Sequence, residues 1–215
     1  MPENITRVFD LLKYNLEKFP KDEFISGKIK GAWKKYSTKD FCDTTDQLSR
    51  GLIRLGALKG DRIAVMSHNR PEWNITDFAI TQIGAYQVPL YPTLPEHDIK
   101  FILENAEVSI LFVSDETLYQ KIRSVLSSSD RVIRVYTFED VADVANWMEV
   151  VNDGAANTNI DLEPWRDAVD PGDILTLIYT SGTTGTPKGV MLTHNNLISN
   201  FKAGSILVPA EVKKG

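Results

Sequence analysis

The sequence predicts an α/β protein built on a largely parallel sheet flanked by helices. Three observations carry that prediction. Short apolar runs of strand length alternate with amphipathic stretches of helical period from about residue 38 to residue 150. Strands that alternate with helices in this way are the pattern of parallel-sheet units. The composition, 42% hydrophobic and 25% charged over 215 residues, is that of a globular chain long enough for a sizeable core.

Each element has its own signal. Residues 8–19 read as a helix, with Val8, Leu11, Leu12 and Leu16 on one face. Residues 24–26 and 32–37 read as the strands of a hairpin around Gly31. A helix begins at Thr38, carries Phe41, Leu48, Leu52 and Leu55, and stops at Gly56. Residues 62–66 are a buried strand, and Pro71 suits the first turn of the next helix, which ends near Gly84. Strands over 86–90, 108–113 and 132–136 then alternate with helices over 95–105, 115–126 and around 139–150. Residues 152–159 are small and polar and read as a loop or linker. Residues 174–179 and 189–193 read as two further strands, with a helix starting near Thr193 or His194. The expected organisation is an α/β unit over 1–151, a linker-like segment over 152–172, and a strand pair beginning an incomplete unit over 173–215.

Charge and composition exclude several classes. Net charge is −5 and the pI about 5.3, which does not suit a nucleic-acid binder. The local basic cluster of Lys28, Lys30, Lys34 and Lys35 reads as solvated charge on the hairpin. No apolar run approaches the ~18 residues of a membrane span, and the N-terminus lacks a signal pattern. A lone cysteine, Cys42, cannot form an internal disulfide and sits in a helical pattern where packing is its expected role. The cytoplasm is the expected compartment.

The chemistry is concentrated in one loop, Tyr179-Thr180-Ser181-Gly182-Thr183-Thr184-Gly185-Thr186-Pro187-Lys188-Gly189. Glycines let successive backbone N–H groups turn toward an anion, hydroxyls donate further hydrogen bonds, and lysine adds a mobile positive charge. The loop joins strand to strand, and its spacing fits neither G-x-x-x-x-G-K-[ST] nor G-x-G-x-x-G. Residue types alone leave two readings open: a cradle for phosphates, or a solvated Ser/Thr/Gly-rich connection without a ligand.

The order of residues adds to this. Y-T-S-G-T-T-G-T-P-K-G-V resembles the signature loop of the adenylate-forming superfamily, which includes acyl-CoA synthetases, peptide-synthetase adenylation domains and luciferases. Upstream, Gly60 to Met66, then Asn69-Arg70-Pro71-Glu72-Trp73, then Val88-Pro89-Leu90-Tyr91-Pro92-Thr93 resemble the long-chain fatty acyl-CoA synthetase branch. In that upstream patch Arg70 and Glu72 are expected to brace a helix, and the prolines to shape a strand exit.

The resemblance implies part of the N-terminal domain of the adenylate-forming fold. It implies an ATP-dependent ligase that adenylates a fatty acid and then forms a thioester with coenzyme A, with ATP, Mg²⁺ and coenzyme A as co-substrates. It assigns the β- and γ-phosphates to Ser181, Gly182, Thr183, Thr184, Gly185, Thr186 and Lys188, and places Thr180 among the phosphate ligands and in the Mg²⁺ shell. His194 is expected to be structural. The Y-G-x-T-E motif, the ribose-binding aspartate and the C-terminal catalytic lysine of this family do not occur in these residues. No complete catalytic set is therefore expected here, and the 215 residues alone are expected to make no acyl-CoA. A non-catalytic nucleotide-binding fragment, or adenylation of another carboxylate, are the alternatives.

Overall fold

The computed structural model describes residues 5–29, 31–129, 133–181 and 186–207. Helix α1 (Asp10–Lys18) precedes a hairpin of β1 (Ile25–Ile29) and β2 (Ala32–Tyr36). Then follow α2 (Thr38–Arg54), β3 (Arg62–Met66), α3 (Pro71–Thr81), β4 (Tyr86–Leu90), α4 (Glu96–Asn105), β5 (Ile110–Val113), α5 (Glu116–Ser127) and β6 (Arg134–Thr137). The chain continues through α6 (Trp147–Ala156), α7 (Glu163–Asp167), β7 (Ile174–Ser181), β8 (Pro187–Thr193) and α8 (His194–Leu207).

The main sheet has the order β6-β5-β3-β4-β7-β8. Every neighbouring pair is parallel except β7 with β8, which is antiparallel. The predicted fold class holds. Alternation along the central strands feeds two cores, as a sheet covered on both faces requires. Ile63, Val65, Ile110 and Phe112 face α2, α3 and α6. Ala64, Met66, Leu111 and Val113 face α4 and α5.

Local chemistry sets the helix starts. Ser37 and Asp40 form a reciprocal capping box at α2. Pro71 occupies the first turn of α3, where its missing N–H has no helical partner to lose. The Asp115 carboxylate accepts from the Leu118 N–H at 3.1 Å to start α5.

Two expectations are corrected. The helix placed around 139–150 begins later, at Trp147, because Asn146 and Glu149 form a capping box there. It then runs to Ala156, so the first part of the segment expected to be a loop over 152–159 is helical. The small residues that read as a loop serve close packing instead. A Cβ on Gly154 would stand 1.8 Å from the Gln47 carbonyl oxygen, and one on Gly51 would stand 2.0 Å from the Val150 carbonyl oxygen. Helices α2 and α6 touch backbone to backbone through these glycines. The short helix α7 was not anticipated.

Cys42 is buried in the core shared with α6 and burial pushes its thiol up to about 11, so it packs as expected. On the hairpin, Lys34 pairs with Glu72 at 3.2 Å and Lys35 with Glu23 at 2.5 Å, while Lys30 lies outside the described residues.

Candidate functional site

Strand β7 runs parallel to β4, with Thr176 opposite Gln87. Its last residue, Ser181, therefore lies at the carboxyl end of the parallel strands, where open α/β sheets bind ligands. Strand β8 returns antiparallel, which sets Thr180 opposite Lys188 and Ser181 opposite Pro187. The loop does join strand to strand, and its two feet are adjacent. Directly opposed residues on antiparallel strands present their side chains to one face. The Thr180 hydroxyl and the Lys188 ammonium thus share a face, and both residues are exposed, as is Thr186. Gly182, Thr183, Thr184 and Gly185 lie outside the described residues.

Alternation sorts β7 into two faces. Leu177 and Tyr179 pack on the α4 and α5 side. Thr176 and Ile178 face a cavity on the other side, and Thr180 follows on that same face. Two side-chain bonds hold the strand. Thr176 Oγ1 donates to the Gln87 carbonyl oxygen at 2.9 Å, and the Tyr179 hydroxyl donates to Asn105 Oδ1 at 2.6 Å. Burial raises the Tyr179 pKa, so the phenol keeps the proton it donates. The Tyr179 ring lies over Gly189, where a Cβ would come within 3.1 Å of it. The first and last residues of the signature loop are thereby fitted to one another.

His194 begins α8 and is buried. Its Nδ1 accepts the Val8 N–H at 3.2 Å, and its ring meets Phe9 edge to face. Burial lowers its pKa to about 4, with Asp173 opposing the shift, so the imidazole is neutral. It ties the residues leading into α1 to the start of α8, the structural role expected of it. Thr193 starts the same helix: its Oγ1 accepts from the Asn196 N–H at 3.1 Å, and Asn196 Oδ1 accepts from the Thr193 N–H at 2.9 Å.

The upstream patch is also structural. Glu72 is buried and accepts from Arg70 Nε at 2.9 Å, Lys34 Nζ at 3.2 Å and the Tyr36 hydroxyl at 3.2 Å. Burial alone would raise the Glu72 pKa, but the Arg70 hydrogen bond and charge hold it below the usual range. Arg70 also donates to the Ser114 carbonyl oxygen at 3.2 Å and lies over the Phe138 ring. This network ties the hairpin to the ends of β3 and β5.

A hard cation such as Mg²⁺ takes oxygen ligands, commonly carboxylates with phosphates. Among the described residues no group of three His, Cys, Asp or Glu side chains is arranged to hold a metal. Thr180 offers a single neutral hydroxyl, which suits a supplementary ligand to a cation carried mainly by phosphate oxygens. Also among the described residues, no helix is long and apolar enough to cross a membrane.

The family model described as AMP-binding enzyme matches residues 12–213. Fatty acyl-CoA synthetase A of Dictyostelium discoideum is 33% identical over 88% of this chain and 29% of its own length. The peroxisomal long chain acyl-CoA synthetase 6 of Arabidopsis thaliana is 36% identical over 75% of this chain and 24% of its own length. Among solved structures, a long-chain-fatty-acid-CoA ligase from Archaeoglobus fulgidus superposes with a TM-score of 0.73 at 29% identity, covering 89% of this chain and 37% of that one. The chain belongs to the AMP-binding enzyme family. It spans about 30% of the length of the relatives it matches.

Two polar residues went unnoticed in the sequence, Asp77 and Gln87. Both line the cavity beside β7. The available signals were a glutamine inside the strand run Tyr86–Leu90 and an aspartate within the mostly apolar stretch Ile75 to Ile80.

Proposed function

We propose that this chain is the N-terminal part of an ATP-dependent long-chain fatty acid–CoA ligase acting in the cytoplasm. The whole protein adenylates a fatty carboxylate with release of pyrophosphate, and then transfers the acyl group to the thiol of coenzyme A. The observation that carries the reading is the family match across 12–213, together with relatives whose names are fatty acyl-CoA synthetases and ligases.

In this reading Thr180, Ser181, Gly182, Thr183, Thr184, Gly185, Thr186 and Lys188 hold the β- and γ-phosphates of ATP. Hydroxyl and backbone donors neutralise the charge that grows on the departing pyrophosphate, and Lys188 adds its positive charge. Mg²⁺, when bound, supplies further neutralisation, and Thr180 is the residue that would ligate it. The carboxylate substrate is itself the nucleophile, so the protein's work is to position two anions against each other. The pairing of Thr180 with Lys188 across the strand ends supports this assignment.

The test is a calorimetric titration of the 215-residue chain with ATP and Mg²⁺. Saturable binding is expected, and Lys188→Ala should weaken it by about tenfold. Absence of binding, or an affinity unchanged in Lys188→Ala, refutes the phosphate assignment. The same chain supplied with palmitate, ATP, Mg²⁺ and coenzyme A should form no palmitoyl-CoA. Measurable turnover would show that the chemistry is complete within these residues.

A further inference from the structure

A cavity of about 490 Å³ opens between α3, β4, β7 and α8. Its origin lies in the backbone. Strands β4 and β7 pair through Gln87 and Thr176, and two residues later Pro89 has no N–H to continue the ladder. The gap beyond that pair is walled by apolar side chains, among them Trp73, Leu90, Leu175 and Leu197.

Polar side chains line it too, from Ser67, His68, Asn69, Asp77, Gln87 and Thr176, and two of these have no partner among the described residues or are set against burial. Gln87 is 2% exposed, and its Nε2 has no hydrogen-bond partner among the described residues. A buried donor left in that state is destabilising, so it is either an uncorrected defect or half of an interaction with something that enters. Asp77 lines the same cavity from α3. Burial alone pushes its carboxyl up to about 7, with no hydrogen bond or cation offsetting that burial. A buried orphan donor and a half-buried acid beside it, in a largely apolar cavity, are the arrangement of a ligand site.

We propose that this cavity binds a small apolar molecule with an uncharged amide or alcohol head, which accepts from Gln87 Nε2 and donates to Asp77. Either head carries an acceptor and a donor in one group, matching the Gln87 amide and the Asp77 carboxylate, while a short hydrocarbon body meets the apolar wall. A carboxylate would satisfy Gln87 but face the ionised Asp77 at low dielectric. An ammonium would satisfy Asp77 and leave Gln87 without an acceptor. The proposal does not depend on the ligase reading.

Hexanamide, 1-hexanol and hexanoate serve as probes, titrated into the 215-residue chain at about pH 8, where Asp77 is ionised. The readout is the ¹H–¹⁵N shifts of the Gln87 side-chain amide and the Trp73 indole. Hexanamide and 1-hexanol should give saturable shifts, with dissociation constants at least about tenfold below that of hexanoate. Gln87→Leu should weaken both by about tenfold while raising the unfolding midpoint, because it removes a buried unpaired amide. Asp77→Asn should let hexanoate bind as tightly as hexanamide, and this arm decides alone if Gln87→Leu does not fold. Absent saturable shifts, hexanoate binding equal to hexanamide in the unsubstituted chain, or hexanoate still excluded by Asp77→Asn each overturn the proposal.

Discussion

The ring of Tyr179 lies against the bare Cα of Gly189 across the antiparallel ladder, with its hydroxyl bonded to Asn105 at 2.6 Å. This contact fixes the base of the loop, because it locks the strand that enters it to the strand that leaves it. Gly189→Ala is expected to push the ring and weaken that bond, at a cost of about 1 kcal/mol. Tyr179→Phe should cost a similar amount through the lost hydrogen bond alone. Urea unfolding of the two single variants and the double variant would reveal non-additive costs if ring and glycine act as a unit.

The approach of α2 to α6 leaves no room for a methyl group. Gly154→Ala would drive a Cβ into the Gln47 carbonyl oxygen, and both neighbours are helix backbone that cannot turn aside. Destabilisation of about 3 kcal/mol or more is expected, well beyond an ordinary substitution. Gly172→Ala, where an added Cβ meets nothing within 4 Å, is the control and should stay within about 0.5 kcal/mol. Denaturant midpoints at constant m-value measure both.

Glu72 neutralises Arg70 in a buried network, and removing one partner of such a pair leaves the other uncompensated. Glu72→Ala is expected to cost about 3–5 kcal/mol. A joint replacement of Arg70 and Glu72 by apolar residues should cost less than the single change. If Glu72→Ala proves neutral by thermal unfolding, the network does not brace the hairpin.

Buried His194 and half-buried Asp77 give opposite pH dependences over one window. His194 has a folded pKa of about 4 against an ordinary 6.5, so the unfolded chain binds more protons between those values. Its contribution to stability falls as pH drops through that range, by up to about 3 kcal/mol. Asp77 has a folded pKa of about 7 against an ordinary 3.8, so the folded chain holds the extra proton. Its contribution is present at low pH and is lost as pH rises toward 7. The two slopes oppose each other in the unsubstituted chain. Asp77→Asn should expose a steep acid loss, and His194→Gln should leave a loss toward neutral pH. Unfolding free energies measured from about pH 4 to about pH 7 test both signs.

Much of this was legible because it is local. Arg62–Met66 and Tyr86–Leu90 match their predicted bounds, since buried strands are read from short apolar runs. The strand-to-strand setting of the loop was legible for the same reason. The start of α6 was less so: Asn146 and Glu149 form a capping signal, but the apolar residues before them imitate the periodicity of a helix.

By itself, the sequence determined the α/β class, the family and the residue types of the loop, because periodicity and motif are written in neighbouring residues. Only the tertiary structure decided why Gly51, Gly154 and Gly189 are glycines, since each answers to a backbone or ring distant in sequence. It also decided that Arg70 and Glu72 form a buried brace, and that Asp77 and Gln87 meet in one cavity. Burial and close approach depend on which elements the chain brings together, and no window of sequence contains both partners.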